Sequence, residues 1–328
     1  MAEEQPVSLA SIAQSQQLPI KEFEQQYKDH ISGYHQWKQK DHANTWLLFE
    51  NNIGENLSID ETAVSKGELY TIITNKQAHG GKGALLGIVE GVKCTDIVKV
   101  LSKIPENARN MVKEVTLDMS RNMEAIIRAS FSQATIVTDR FHVQQLITEA
   151  VQEIRMVFRR AVLKDEASAI LLAKTENRMY QPHIFENGDT KKQLLARSYH
   201  LLFKSSGNWT ERQKQRSEIL FKQFPEIQHA YHLSMLFRNW YETHRTREEA
   251  KAGLQKWYTQ VEAEKIEQFM VVAESIKAYE DTILNYFNHR STNASAESFN
   301  AKLKGFRALV RGVRDIKFFL FRVAKLYG

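Results

Sequence analysis

Cysteine, proline and glycine are scarce in this chain, and each scarcity excludes a class of protein. One cysteine, Cys94, among 328 residues excludes a disulfide framework and a cysteine-based zinc site. Only 5 prolines and 14 glycines favour helices over a sandwich of many short strands. No apolar run approaches the roughly 18 residues that span a bilayer, and the N-terminus lacks the pattern of a signal peptide. We therefore expect a cytoplasmic protein without a membrane segment.

The positive charge of the chain is concentrated at its C-terminus. The formal net charge is +6. Residues 302–328 contain eight cations and one acid, Asp315, so this segment alone carries +7 and the rest is nearly neutral. Such a segment is typical of proteins that bind the phosphates of a nucleic acid. A solvated helix end would give the same pattern, so both readings stay open.

Residues 1–50 have a polar, helical pattern in which Pro19 separates two short segments, 9–18 and 20–31. Two short helices in succession suggest a helix-turn-helix. Residues 1–40, however, contain five acids against four lysines, which is less basic than a reader of the DNA major groove. We interpret this part as an accessory N-terminal helical region.

Short apolar runs follow the turn at 51–56 and predict a β-sheet. The first three runs are close together and predict an antiparallel meander, whereas two later runs alternate with helices capped at Thr95 and Ser120. Because crossovers between parallel strands are right-handed, the fourth strand should lie parallel to and beside the first. We predict an α/β fold with a mixed five-stranded sheet and helices on both faces. The predicted strands are 57–61, 69–74, 84–90, 112–117 and 134–138.

The glycine-rich loop 75–83 is not a nucleotide-binding P-loop. Lys76 stands where that motif needs a glycine, and Gly83 stands where it needs Ser or Thr. We interpret the loop as a hairpin tip in which Lys82 is a candidate phosphate contact.

Two aspartates lie at the ends of strands that are predicted to be neighbours. Asp60 is near the end of the first strand, and Asp118 directly follows the fourth. Carboxylates placed side by side raise each other's pKa unless a cation lies between them. A pair of Mg²⁺ ions about 3.5–4 Å apart would remove this repulsion and create a site for phosphoryl transfer.

An amphipathic helix is predicted from about residue 295. Its polar face combines one acid with an amide and several cations, which suits a carboxylate that holds a metal ion while cations bind neighbouring phosphates. A helix that is packed on one side and solvated on the other has the same pattern. The polar face contains Glu297, Asn300, Lys304, Arg307 and Arg311, and the apolar face contains Phe299, Leu303, Phe306 and Val310.

Residues 141–287 show no strand pattern and are predicted to be helical. Aromatic residues recur there at helical intervals, which is typical of the core of a helical bundle. The alternative is that Trp209, Trp240 or Trp257 stacks on an unpaired base of distorted DNA.

Four phrases of the sequence, taken together, resemble the DDE transposases of bacterial insertion sequences, in the branch with a large all-helical insertion before the final Glu. The resemblance extends from about residue 50 to the end and implies a ribonuclease H-like fold. The phrases are Ser58-Ile-Asp60-Glu61, Val115-Thr-Leu-Asp118-Met, Asp139-Arg-Phe-His142-Val and Ala296-Glu297-Ser-Phe-Asn300-Ala-Lys302-Leu-Lys304, with Arg311-Gly-Val-Arg314-Asp after the last.

The resemblance implies that Asp60, Asp118 and Glu297 form a metal-binding triad for two Mg²⁺ ions, with Mn²⁺ as a substitute. Asp139 follows the strand one step further from the first, so Asp118 is favoured as the second aspartate and Asp139 is the alternative. His142 either hydrogen-bonds a ligand or the scissile phosphate, or is bonded to the backbone at a helix start. The expected DNA contacts are Lys82, His142, Asn300, Lys304, Arg307, Arg311 and Arg314.

The implied function is that of a bacterial DNA transposase catalytic subunit, nucleoid-associated when bound, which cuts transposon ends and joins them to target DNA. The alternatives are a ribonuclease H-like nuclease that only cleaves, and a non-catalytic DNA-binding scaffold. A homodimer or larger oligomer is expected in the synaptic complex. A separate small DNA-binding protein is expected to recognise the ends, since the front of the chain shows no domain for this. The expected divisions are an accessory region 1–50, a first catalytic part 51–145, an all-helical insertion 146–288 and a final catalytic helix with basic segment 289–328.

Overall fold

A computed structural model of the chain describes residues 2–65 and 67–328. The chain divides into two compact units. The first unit contains Met1–Asp139 and His289–Gly328, and the second contains Arg140–Asn288. We call them the sheet unit and the helical unit.

The sheet unit is built on a mixed sheet of six strands in the order β1-β4-β3-β2-β5-β6. The prediction of five strands is therefore wrong by one. The missed strand is β1, which has only three residues, too few for an alternating pattern, and pairs antiparallel with β4. The strands are β1 Trp46–Leu48, β2 Asn56–Ser65, β3 Glu68–Asn75, β4 Leu85–Glu90, β5 Glu114–Leu117 and β6 Thr135–Thr138.

The predicted connections between the strands are confirmed. β2, β3 and β4 form the antiparallel meander, and β5 lies parallel to β2 with Ser58 opposite Thr116. β6 is parallel to β5 with Leu117 opposite Thr138. The carboxyl ends of β2, β5 and β6 therefore lie at one edge of the sheet.

Helices cover both faces of this sheet, as predicted. Ser120 caps α5 through its side chain, as expected, whereas α3 begins at Cys94 after Lys93, so the expected cap at Thr95 is wrong. The helices of this unit are α1 Leu9–Ser15, α2 Ile20–Gln26, α3 Cys94–Leu101, α4 Glu106–Arg109, α5 Arg121–Ser130, α14 Ala294–Leu309 and α15 Ile316–Tyr327.

Alternate residues of β2 pack into two apolar cores on opposite faces of the sheet. Leu57 and Ile59 pack with α3 and α5 on one face. Val64 packs with α14 and α15 on the other face, where the predicted apolar residues Phe299 and Leu303 are buried. The even-numbered residues of β2 therefore face α14, because successive side chains alternate across a strand.

The helical unit begins with the 36-residue helix α6. The prediction that this region lacks strands is confirmed for the described residues, apart from one isolated bridge between Ile184 and Thr190. Its elements are α6 Arg140–Thr175, α7 Lys191–Arg197, α8 Glu211–Gln223, α9 Pro225–Thr243, α10 Arg247–Glu264, α11 Glu267–Ala278 and α12 Glu280–Leu284, followed by α13 Tyr286–His289 at the return to the sheet unit.

Tryptophans form part of the core of the helical unit. Trp240 and Trp257 are each 3 % exposed. Their indole N–H groups donate to the carbonyls of Ala250 at 2.7 Å and Leu233 at 3.0 Å. Trp209 is half-buried and donates to the carbonyl of Leu201 at 2.9 Å. These contacts support the bundle-core interpretation over base stacking.

Among the helices of residues 2–65 and 67–328, none combines the length and apolar character required to cross a membrane.

Candidate active site at the strand ends

Three aspartates of β2, β5 and β6 stand level with one another. The prediction that Asp60 lies near the end of its strand is wrong, because β2 continues to Ser65 and Asp60 lies in its middle, whereas Asp118 and Asp139 directly follow β5 and β6. Counting two residues on from the pair Ser58 and Thr116 brings Asp60 level with Asp118. Counting one residue on from the pair Leu117 and Thr138 brings Asp118 level with Asp139. We call Asp60, Asp118 and Asp139 the aspartate row. Neighbouring strands are about 4.8 Å apart, so the row is compact.

Two members of the row form a group that could hold a metal ion. Asp118, Asp139 and His142 each offer one ligand atom, and these atoms lie within 4.8 Å of one another. His142 is near because it follows Asp139 by only three residues, in the first turn of α6. Among the described residues, neither Asp60 nor Glu297 belongs to such a group. Carboxylate oxygens suit hard divalent cations, and imidazole is a further metal ligand, so the donor set fits a divalent cation.

The electrostatics around the row also favour a cation. The pKa of the Glu61 carboxyl is raised, first by burial and then by the negative charge of Asp118. Asp139 is 2 % exposed. A bound cation would relieve this concentration of carboxylates, as expected for a metal site.

Asp60 is held by hydrogen bonds at both of its carboxylate oxygens. The backbone N–H of Glu61 donates to Oδ1 at 2.7 Å. The side-chain amide of Asn300, on α14, donates to Oδ2. Asn300 was predicted as a DNA contact, but it is only 6 % exposed and lies against the aspartate row.

Asp139 accepts a hydrogen bond from the N-terminal end of α14. The backbone N–H of Asn293, the N-cap residue of α14, donates to Asp139 Oδ1 at 3.3 Å. Asn293 is 1 % exposed. Asn293 is not among the site residues predicted from the sequence, although its spacing of +4 to Glu297 and +7 to Asn300 is a signal that points to it.

Glu297 lies in the first turn of α14, between these two contact points, and it is solvent-exposed. The negative side chain is favourably placed for the helix dipole. The structure thus sets Asp60, Asp118 and Asp139 level on three neighbouring strands and brings Asp118 and Asp139 together, with Glu297 on the helix that contacts both Asp60 and Asp139.

Two cations predicted as DNA contacts form hydrogen bonds within the chain. Lys82 donates to the carbonyl of Lys325 at 2.9 Å, and Arg307 donates to the carbonyl of Ala63 at 2.9 Å. Lys304, by contrast, is exposed on α14.

The predicted helical face is wrong at Arg311. The helix α14 ends at Leu309, and Arg311 and Gly312 both have positive φ, +55° and +92°. This turn ends the helix, as a left-handed residue followed by glycine commonly does. Arg311 and Arg314 are exposed in the connection to α15.

The six-stranded mixed sheet flanked by helices is consistent with the ribonuclease H-like fold that the resemblance implied. A family model described as transposase, DDE_Tnp_ISL3, matches residues 57–323, and the chain belongs to this transposase family. The match includes all three aspartates of the row and Glu297. It confirms the family suggested by the sequence motifs.

The chain is also similar to a transposase for the insertion sequence element IS1001 from Bordetella parapertussis. The two are 24% identical over 272 residues, which cover 82% of this chain and 60% of that protein. The chain thus spans about 60% of the length of this relative.

Proposed function

We propose that this chain is the catalytic part of a DNA transposase, which cleaves transposon ends and joins them to target DNA with the help of Mg²⁺. The observation that supports the proposal is the register of the sheet, in which Asp60, in the middle of β2, is level with Asp118 and Asp139, which directly follow β5 and β6. Family membership supplies the substrate class, since transposases act on DNA.

The geometry of α14 supports Glu297 as the helical acid of the site. Asn293, Glu297 and Asn300 are spaced by four and three residues, so they lie on one face of the helix. From 293 to 300 the helix rises about 10.5 Å at 1.5 Å per residue. Two strand spacings cover about 9.6 Å, so this stripe matches the width of the aspartate row.

The two hydrogen bonds set the direction of that stripe. Asn300 contacts Asp60 at one end of the row, and Asn293 contacts Asp139 at the other. Glu297 then falls over the middle of the row. From this position the Glu297 carboxylate would share a cation with Asp118, the central aspartate of the row.

Bound divalent ions would activate the attacking water or 3′-hydroxyl and stabilise the leaving oxygen. The carboxylates of the row and Glu297 would hold those ions in place. His142, beside Asp139, can hydrogen-bond a ligand or the scissile phosphate. The exposed cations Lys304, Arg311 and Arg314 would bind flanking phosphates. The proposed chemistry uses water and DNA hydroxyl groups as nucleophiles and forms no covalent protein intermediate.

Recognition of the transposon ends and assembly on DNA belong to the same proposal. We expect two copies of the chain to act together in a synaptic complex, in the cytoplasm at the nucleoid. We also expect a separate small DNA-binding protein to help locate the ends.

The test is a strand-transfer assay with labelled DNA that carries the element's ends, a target plasmid and Mg²⁺. Wild-type protein should give joined products. Asp60→Asn, Asp118→Asn, Asp139→Asn and Glu297→Gln are assayed in parallel, with Ser298→Ala on the exposed side of α14 as the matched control. Joined products that are lost in Asp60→Asn and Glu297→Gln but kept in Ser298→Ala support the proposal.

The other outcomes separate the alternatives. Cleavage without joining would indicate a nuclease. DNA binding without any cleavage would indicate a scaffold. If Asp118→Asn retains activity while Asp139→Asn loses it, Asp139 is the second aspartate of the site, as the alternative reading of the sequence has it.

A further inference from the structure

We propose that Asn300 is a positioning residue, whose side-chain amide holds Asp60 in the orientation required of a metal ligand. This inference rests on the proposed function, because it assigns Asn300 to the metal site rather than to DNA. The side chain acts on the site through Asp60.

The hydrogen bonds of Asp60 define the role. Its Oδ1 accepts from the backbone N–H of Glu61 at 2.7 Å, and its Oδ2 accepts from the Asn300 amide. A carboxylate that accepts one bond at each oxygen can no longer rotate freely about its last bond. Such outer partners fix the direction of the lone pairs that remain for a metal ion.

An amide is the suitable group for this position. A lysine or arginine at the same place would neutralise the carboxylate and compete with a metal ion, whereas an aspartate would repel it. The amide of Asn300 donates a hydrogen bond and leaves the charge of Asp60 intact. A negative charge at Asp60 is what a divalent cation needs.

The packing of α14 keeps Asn300 in place. Its neighbours Phe299 and Leu303 are 0 % and 2 % exposed in the core beneath the sheet. At the N-terminal end of the same helix, the backbone N–H of Asn293 donates a hydrogen bond to Asp139. The helix is therefore attached to the sheet by its apolar face and at both ends of the aspartate row, so Asn300 cannot withdraw without moving the helix.

The burial of Asn300 also argues against a direct contact with DNA. At 6 % exposure it offers little surface to a phosphate, and its amide nitrogen already donates to Asp60. A DNA contact and a positioning role predict different effects of substitution. Loss of a phosphate contact weakens DNA binding without metal, whereas loss of positioning weakens metal binding without DNA.

The experiment is a calorimetric titration of the DNA-free protein with Mn²⁺. Asn300→Leu removes the amide at similar volume, and Ser298→Ala is the control on the same helix. We expect Asn300→Leu to bind Mn²⁺ about 10- to 100-fold more weakly, the usual effect of removing a partner of a metal ligand. Ser298→Ala should bind as the wild type does. DNA affinity measured in EDTA should be unchanged in both variants.

A double-mutant cycle tests whether Asn300 acts through Asp60. In an Asp60→Asn background, Asn300→Leu should cause no further loss of Mn²⁺ affinity, because the carboxylate it positions is already gone. Independent losses that multiply would overturn the proposal. Unchanged Mn²⁺ binding in Asn300→Leu alone would also overturn it.

Two measurements keep the result interpretable. Circular dichroism shows whether each variant is folded. If the leucine of Asn300→Leu prevents folding, Asn300→Ala takes its place, and the same loss of Mn²⁺ affinity is expected. Asp60→Asn alone tests the proposed function. If Asp60→Asn leaves Mn²⁺ binding unchanged, Asp60 is not a metal ligand and the proposed triad is wrong at that residue, whereas a loss in Asp60→Asn without one in Asn300→Leu removes only the positioning role.

Discussion

Two groups of carboxylates, one in each unit, differ in the charges that surround them. In the helical unit, the fully buried Asp189 lies between two guanidinium groups, Arg216 at 2.7 Å and Arg197. In the sheet unit, carboxylates lie beside other carboxylates in the aspartate row. Asp60 accepts hydrogen bonds from the backbone of Glu61 and the side chain of Asn300, and Asp139 accepts one from the backbone of Asn293.

The pKa directions follow this difference. Burial alone would raise the pKa of Asp189, but the hydrogen bonds and charges of Arg216 and Arg197 outweigh it and hold that pKa below its usual range. Near the row, burial and the charge of Asp118 raise the pKa of Glu61. The Asp189 site is thus neutralised by the chain and stabilises the fold, whereas at the row neighbouring carboxylates lie close together, an arrangement that suits a bound cation.

The largest expected effect concerns activity at the row. Asp118→Asn should reduce strand transfer about a thousandfold or more, because charge stabilisation by a bound metal ion is worth several kcal/mol and each 1.4 kcal/mol is tenfold in rate. The same substitution should leave the free energy of unfolding unchanged or raise it, since it removes a repelling charge. Single-turnover assays and urea denaturation measure the two effects. A large loss of stability would show that the row is structural and would erase the contrast with Asp189.

The next effect is on stability at the other site. Asp189→Asn leaves Arg216 without its buried partner and should lower the free energy of unfolding by about 3 kcal/mol. The figure is at the lower end for buried pairs because the Arg197 side chain is 53% exposed. Urea denaturation at pH 7 measures it. Asp165→Asn, on the exposed surface of α6, is the control and should change stability little.

A change of pH should remove that stabilisation in one direction only. The folded pKa of Asp189 is depressed, so its contribution is complete above the unfolded pKa of about 3.9 and is lost as pH falls from there through the folded value. The difference in unfolding free energy between wild type and Asp189→Asn should therefore be constant from pH 7 to about 5 and shrink at lower pH. A difference that grew on acidification would contradict the assignment.

Local patterns in the sequence were sufficient for most of the fold. The strands β2 to β6 and the cap at Ser120 depend on neighbouring residues, and a handedness rule then placed β5 beside β2. The strand β1 was missed because three residues contain no period. Arg311 was wrongly predicted to lie on the helix, because the spacing of residues does not show where a turn with positive φ ends a helix.

The site was predicted less completely than the fold, for a physical reason. Asp60 and Asp118 could be paired from strand order, but the bond between Asn300 and Asp60 joins residues 240 apart in sequence. Whether Asn300 faces DNA or a carboxylate depends on how α14 lies across the sheet. The polar face of an amphipathic helix does not show which of its residues become buried.

The smallest expected effect is on DNA binding, and it compares a cation that is bonded within the chain with a neighbouring cation on the same helix. Lys302 and Lys304 are both exposed, but Lys302 donates to the carbonyl of Gly80 at 2.7 Å, so its ammonium is engaged within the chain. Lys304→Gln should weaken DNA binding modestly and lower the slope of log affinity against log salt by about 1, the value for one lost phosphate contact. Lys302→Gln should leave that slope unchanged. Fluorescence anisotropy with a DNA duplex at several salt concentrations measures both slopes, and equal losses would show that the hydrogen bond to Gly80 does not withhold Lys302 from DNA.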